Sequence, residues 1–213
     1  EEGWVLIQDT AWQGYEKIPR HIMQGYLTLL TEYMNQGPEI WPTHIFVQAG
    51  VGSLAAAILA QLCNLSNKAM PEFIVVEAQG APCLIESKRQ NKLYQVEGDL
   101  PTIMAGLACG KPSQTAWDIV NSAATAFIAC DDDITRKGMR VLGNPLAGDQ
   151  SIISGESGAV TLGVLFEIMS NKDFSKIKND LNLNAESTVL LFSTEGDTDP
   201  DVYRDIVSGN SWS

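Results

Sequence analysis

The sequence is poor in the residues that would signal several common functions. It has two histidines, His21 and His44, and four cysteines, Cys63, Cys83, Cys109 and Cys130, which stand far apart with no C-x-x-C pair and no histidine at ligand spacing. That pattern gives neither a zinc site nor a disulfide framework, and free thiols point to a reducing compartment, so a cytoplasmic location is expected. Positive charge is also scarce. Fourteen Lys and Arg face 26 Asp and Glu, a net charge of −12, which argues against a nucleic acid or an anionic membrane as partner. No apolar run approaches the ~20 residues needed to span a bilayer. No basic-then-apolar leader, internal repeat or low-complexity segment is visible either. The chain opens without Met and enters the apolar Trp4-Val5-Leu6-Ile7 at once, and it closes abruptly on Asn210-Ser211-Trp212-Ser213, so we expect a fragment or a processed piece. At 213 residues the chain is long enough to bury a sizeable core.

What is present centres on His44–Leu54. Ile45, Phe46 and Val47 form a short apolar run suited to a buried parallel strand, and Ala55–Leu62 reads as a helix. Between them lies Gly50-Val51-Gly52-Ser53. A turn this tight needs residues without a Cβ, so that backbone N–H groups converge on an anion where the helix offers its positive end. A phosphate cradle is one reading, and close strand–helix packing is the other. Gly50–Ala55 also fits the dinucleotide pattern G-x-G-x-x-A, with Glu77 as ribose partner, although Glu77 follows Gly50 by 27 residues, more than the ~20 expected.

Further along the chain, Trp4–Gln8, Phe73–Glu77, Ala126–Cys130 and Val189–Phe192 read as strands. Helical spacing appears at Ile22, Tyr26, Leu29, Leu30 and Tyr33, and helices are also expected over 81–90, 117–122, 134–142 and 159–169. The alternation predicts an α/β fold, an open and largely parallel sheet with helices on both faces. Ligands in such sheets sit beyond the carboxyl ends of the strands. Asp9 stands there as an acid–base group, an amine partner or simply a turn former, and Thr102–Gly110 is a small-residue segment that permits a ligand ring to lie against backbone. Glu156 lies in a glycine-flanked turn, and Ser193-Thr194-Glu195-Gly196-Asp197 follows the last strand. His21 reads as solvated. Asp131-Asp132-Asp133 reads as a helix N-terminus in preference to a metal site.

Taken together, six blocks resemble the C-terminal half of the diaminopropionate ammonia-lyases, pyridoxal-phosphate enzymes of the fold type of tryptophan synthase β and threonine dehydratase. They are Gln8–Tyr15, Gln48–Ser53, Thr102–Gly110, Gly138–Pro145, Ile152–Val160 and Ser193–Asp199. The resemblance implies pyridoxal 5'-phosphate as cofactor, its phosphate held by Gly50, Val51, Gly52, Ser53 and Leu54. It places Ser193 opposite the pyridine nitrogen, with Thr194 the neighbouring alternative, and brings Gly106 and Glu156 near the ring. Asp9 matches a family aspartate near the reacting carbons, the one catalytic residue implied in this chain. A neutral hydroxyl at the ring nitrogen suits β-elimination better than transamination.

The implied reaction converts 2,3-diaminopropionate, a small amino acid, to pyruvate and ammonia, in a homodimer when the protein is full length. The family's cofactor-carrying lysine belongs to the N-terminal half, and none of the nine lysines here stands in that context, so the chain alone is expected to be inactive and to expose apolar surface. Relatives such as serine racemase bind a cation through a Glu, a carbonyl and an Asp. Here Glu77 has Cys83 where that Asp would stand, so no specific metal is expected. A dinucleotide-binding oxidoreductase and a non-catalytic interaction module are the competing readings.

Overall fold

The computed structural model describes residues 3–146 and 148–209; the chain's first two residues and its last four, on which the expectation of a fragment partly rests, lie outside them. Four strands, β1 (His44–Gln48), β2 (Glu72–Ala78), β3 (Ala126–Cys130) and β4 (Val189–Leu191), form one sheet in the order β3-β2-β1-β4. Every neighbouring pair is parallel, with Val47 opposite Val75, Phe46 opposite Leu191, and Val75 opposite Phe127. Parallel strands need crossovers, and the chain supplies helices for them. These are α1 (Lys17–Asn35), α2 (Ser53–Cys63), α3 (Cys83–Gln90), α4 (Gln114–Ala123), α5 (Asp132–Gly143), α6 (Glu156–Ser170), α7 (Ser175–Asp180) and α8 (Pro200–Ser208).

Strand alternation divides the core in two. Ile45, Val47, Phe73 and Val75 pack against Met23 and Leu30 of α1, the alanine-rich α2, and Trp117 and Val120 of α4. Phe46, Ile74 and Val76 point the other way, onto Val160, Val164 and Ile168 of α6. Both faces of the sheet are therefore covered, which explains why β1 and β2 are near-continuous apolar runs with no polar alternation. The open, parallel, two-sided α/β architecture is the one the sequence predicts.

One expected strand is not there. Trp4–Gln8 joins no sheet, and Trp4, Val5, Leu6 and Ile7 are 87%, 71%, 55% and 72% exposed. A strand needs a neighbour to take its backbone groups, and no described segment pairs with this one; a side chain takes two of them instead. The Tyr15 hydroxyl accepts from Gln8 N at 3.1 Å and donates to Leu6 O at 2.7 Å, taking backbone groups that a neighbouring strand would have used. The Trp12 and Tyr15 rings stack at 4.4 Å, so a local turn holds this segment.

The acidic run settles as a cap. Asp131 accepts from Asp133 N and Ile134 N at the start of α5, and Asp132 binds Thr102 Oγ1 and Ile103 N, anchoring the loop that leads to Gly106. Both arrangements satisfy donors that a helix start and a loop otherwise leave open.

Candidate functional site

A cavity of about 450 Å³ opens at the carboxyl ends of β1 and β4. One wall is the turn between β1 and α2. Gly52 sits at φ +96°, a left-handed conformation that a side chain would strain, and it starts α2 without any side-chain cap. Gly50 is required for a different reason, since a Cβ there would lie 2.8 Å from Cys109 Sγ and 2.9 Å from Gly106 O. The turn thus has the close packing foreseen as one reading and the uncapped helix start required by the other. N–H groups in the first turn of a helix have no carbonyl partner within it, so an acceptor in the cavity would satisfy them.

Gly50, Val51, Gly52, Ser53 and Leu54 all line this cavity, as do Asp9, Gly106 and Thr194. Although its segment is no strand, Asp9 is tied to the same rim: Ser53 Oγ donates to Asp9 O at 3.1 Å. The next residues are held as well, with Ala11 N donating to Ser113 Oγ at 2.9 Å and Gln114 N to Ala11 O at 3.1 Å. Burial raises the pKa of the Asp9 carboxyl above the ordinary carboxylate range, opposed by its hydrogen bonds to backbone and to Ser53. A proton therefore stays on Asp9 to higher pH than on a solvated aspartate.

Two predicted residues do not line the cavity. Ser193 Oγ donates to Ser154 Oγ at 2.8 Å and does not line the cavity, whereas its neighbour Thr194 does. Glu156 opens α6, and its carbonyl accepts from Thr135 Oγ1; the cavity wall at that helix is Ser157 instead. Ser157 Oγ accepts from Gly106 N at 3.2 Å, and Glu195 Oε1 accepts from Ser157 N at 2.5 Å, so the loop after β4 caps α6 and holds Gly106 through it. His21 remains on the exposed side of α1, its Nδ1 3.2 Å from Gln24 Oε1.

Gln48, Ser157, Cys109 and Glu195 are wall residues that sequence reasoning did not single out. Gln48 had a signal: it is the polar residue that ends an otherwise apolar strand, immediately before the glycine turn. It is 3% exposed. Ser157 and Glu195 had none, because their pairing joins residues 38 apart in the chain.

Glu77, the residue offered to a dinucleotide ribose, is fully buried. Its carboxylate accepts from Leu84 N at 2.8 Å and Ile85 N at 2.7 Å, capping α3. Burial nevertheless pushes its pKa up to about 8. It does not line the cavity, so the geometry lends the dinucleotide reading no support. Among the described residues no three His, Cys, Asp or Glu side chains are grouped so as to hold a metal ion, and no helix is long and apolar enough to cross a membrane.

Residues 1–194 match the family described as pyridoxal-phosphate dependent enzyme. The chain belongs to that family. Within it, the chain is 46% identical over 209 residues to diaminopropionate ammonia-lyase of Escherichia coli (strain K12), covering 97% of this chain and 52% of that protein. A crystal structure of the Escherichia coli enzyme in complex with an aminoacrylate-PLP azomethine reaction intermediate superposes with a TM-score of 0.89 at 45% identity, over 96% of this chain and 52% of the other. The processed form of threonine deaminase isoform 2 from Solanum lycopersicum shares the fold alone, with a TM-score of 0.69 at 14% identity over 88% of this chain and 49% of that one. The chain spans about half the length of the curated relatives it matches.

The residues on the cavity wall suit the family's cofactor. An uncapped helix start behind a glycine turn accommodates a phosphate, and Gln48 Oε1 is a buried oxygen with no hydrogen-bond partner at the same wall.

Proposed function

We propose that this chain forms the cofactor-binding part of a pyridoxal-phosphate-dependent carbon–nitrogen lyase that eliminates ammonia from 2,3-diaminopropionate to give pyruvate and a second ammonia. The observation that carries this reading is the cavity that joins the Gly50–Ser53 turn, Thr194 and Asp9. The likeness to diaminopropionate ammonia-lyases supports the reaction class and an amino acid substrate. The competing oxidoreductase reading loses its ribose partner in Glu77, and an interaction module has no need of a glycine turn beside a titratable aspartate.

Pyridoxal phosphate, when bound, supplies the electron sink that makes the α-proton of an amino acid acidic and lets the β-substituent leave. This chain supplies the surroundings. Backbone N–H groups at Gly50–Leu54 bind the phosphate, so that its negative charge is met by the positive end of α2. Gly106, with no side chain, lets a ring lie against the 105–107 turn, and its place is fixed by Ser157. A hydroxyl after β4 meets the ring nitrogen without imposing a positive charge on it. Asp9, whose carboxyl burial raises above the ordinary carboxylate range, either moves the α-proton or holds the departing ammonium. The lysine that carries the cofactor is assigned to the half of the relatives that this chain does not match. The chain alone is accordingly read as a weak binder without turnover, and the complete enzyme as a cytoplasmic homodimer.

A chimera tests the proposal. Joined to the N-terminal half of the Escherichia coli relative, the chain is expected to give a yellow protein that releases pyruvate and ammonia from 2,3-diaminopropionate, with Asp9→Asn reducing turnover by about a hundredfold or more. A chimera that folds, takes up no pyridoxal phosphate and yields no pyruvate overturns it.

A further inference from the structure

The Ser154-Gly155-Glu156-Ser157-Gly158 turn does more than start α6, because it also makes room for an acid from the loop after β4. The carbonyl of Glu195 accepts from Gly155 N at 3.3 Å, and its Oε1 accepts from Ser157 N at 2.5 Å and from Gly158 N at 3.4 Å. A Cβ on Gly155 would stand 2.8 Å from that Oε1 and 2.5 Å from Gly196 O, so only glycine admits the loop this closely. The carboxylate is thus held firmly by one of its oxygens. Its other oxygen, Oε2, has no hydrogen-bond partner among the described residues, and Glu195 lines the cavity.

The charge of that cavity is one-sided. Asp9 and Glu195 are its two carboxyl side chains, and no Lys, Arg or His is among the described residues that line it. A carboxylate with a free oxygen in a partly desolvated wall gains more from a cation than from a neutral hydroxyl. Helix capping by itself requires no such charge, since a neutral side-chain oxygen caps as well.

We infer that Glu195 is a substrate-binding residue that selects a β-ammonium group over a β-hydroxyl. The inference rests on the proposed lyase reading and deepens it: with Glu195 holding the β-ammonium, Asp9 is left to move the α-proton. The charge state suits the chemistry. As the α-proton passes to a base, the electron pair of the Cα–H bond forms the Cα=Cβ bond and the pair of the Cβ–N bond departs on nitrogen. An amine kept protonated then leaves as neutral ammonia, and a carboxylate beside it favours that protonated form.

Serine supplies the comparison, because it carries a hydroxyl where 2,3-diaminopropionate carries its β-amino group. In the chimera, wild type is expected to favour diaminopropionate over serine in kcat/KM for pyruvate release. Glu195→Gln should lower that preference about tenfold or more, the worth of one hydrogen bond to a charged group. Glutamine keeps an oxygen for Ser157 N, so the cap survives while the charge goes, whereas a purely structural effect would lower both substrates alike. If the variant does not fold, inhibition of the wild-type chimera carries the test. There 2,4-diaminobutyrate should inhibit about tenfold more strongly than homoserine, its counterpart with a hydroxyl in place of the side-chain ammonium.

A wild type that does not favour diaminopropionate, a preference unchanged in Glu195→Gln, or equal inhibition by the two analogues overturns this inference and leaves the lyase reading standing. A wild-type chimera that folds and yields no pyruvate from diaminopropionate overturns that reading, and the inference with it.

Discussion

Two apolar stretches of this chain look alike in sequence and end in opposite circumstances. Ile45-Phe46-Val47 is completely buried in β1, between two parallel neighbours. Trp4-Val5-Leu6-Ile7 is just as apolar, yet every residue is more than half exposed. Apolar composition thus sets a preference for burial, but a strand exists only where other chain segments take its backbone groups and cover its faces. Each stretch leads to the cavity rim, the first through the glycine turn and the second through Asp9. Only the first arrives as part of the sheet.

The contrast can be pressed hardest at its buried end. Phe46→Ala removes a ring from the α6 side of the core and is expected to cost about 3–5 kcal/mol in urea unfolding. A cost no larger than that of Ile7→Ala would break the comparison outright.

On the neighbouring strand, Glu77 makes stability depend on pH. Its carboxyl is raised from 4.5 to about 8 in the folded protein, because burial penalises the charge more than the α3 amides repay it. A raised folded-state pKa gives stability that is complete below the unfolded value and is lost as pH rises through the folded one. The unfolding free energy from urea titration should therefore fall between about pH 5 and about pH 9, by an amount on the order of a few kcal/mol, and Glu77→Gln should flatten the profile. A wild-type profile that rises over this interval would mean that the helix cap outweighs desolvation.

At the turn itself, Gly50→Ala places a methyl group against Cys109 and Gly106. About 1–3 kcal/mol of stability should be lost, with phosphate affinity falling alongside it, as read by thermal melting and phosphorus NMR. The smallest effect belongs to the exposed stretch: Ile7→Ala should stay within about 0.5 kcal/mol of wild type by the same urea assay.

Much of this was legible because the relevant signals are local. Val-, Ile- and Phe-rich runs mark β1 and β2, the glycine turn announces itself by composition, and Asp131 ahead of Ile134 reads as a cap from spacing alone. The illegible parts all involve distant partners. No local pattern shows that the Tyr15 hydroxyl would take the backbone of residues 6 and 8, or that Glu195 would cap α6. Nor does a pattern separate Glu77 from Asp9. Both follow apolar runs, yet one is spent inside on α3 and the other lines the cavity.

The sequence by itself determined the class of sheet and the position of the glycine turn, because these depend on residue size, periodicity and the freedom of glycine, all properties carried by a few neighbouring residues, and its six motif blocks carried the resemblance to the family. Tertiary structure alone decided which polar groups at the rim face the cavity: Thr194 and Gln48 rather than Ser193, Ser157 rather than Glu156. Past the last residue of a strand the two-residue alternation lapses, and a side chain's direction is then set by the hydrogen bonds that remote segments offer it.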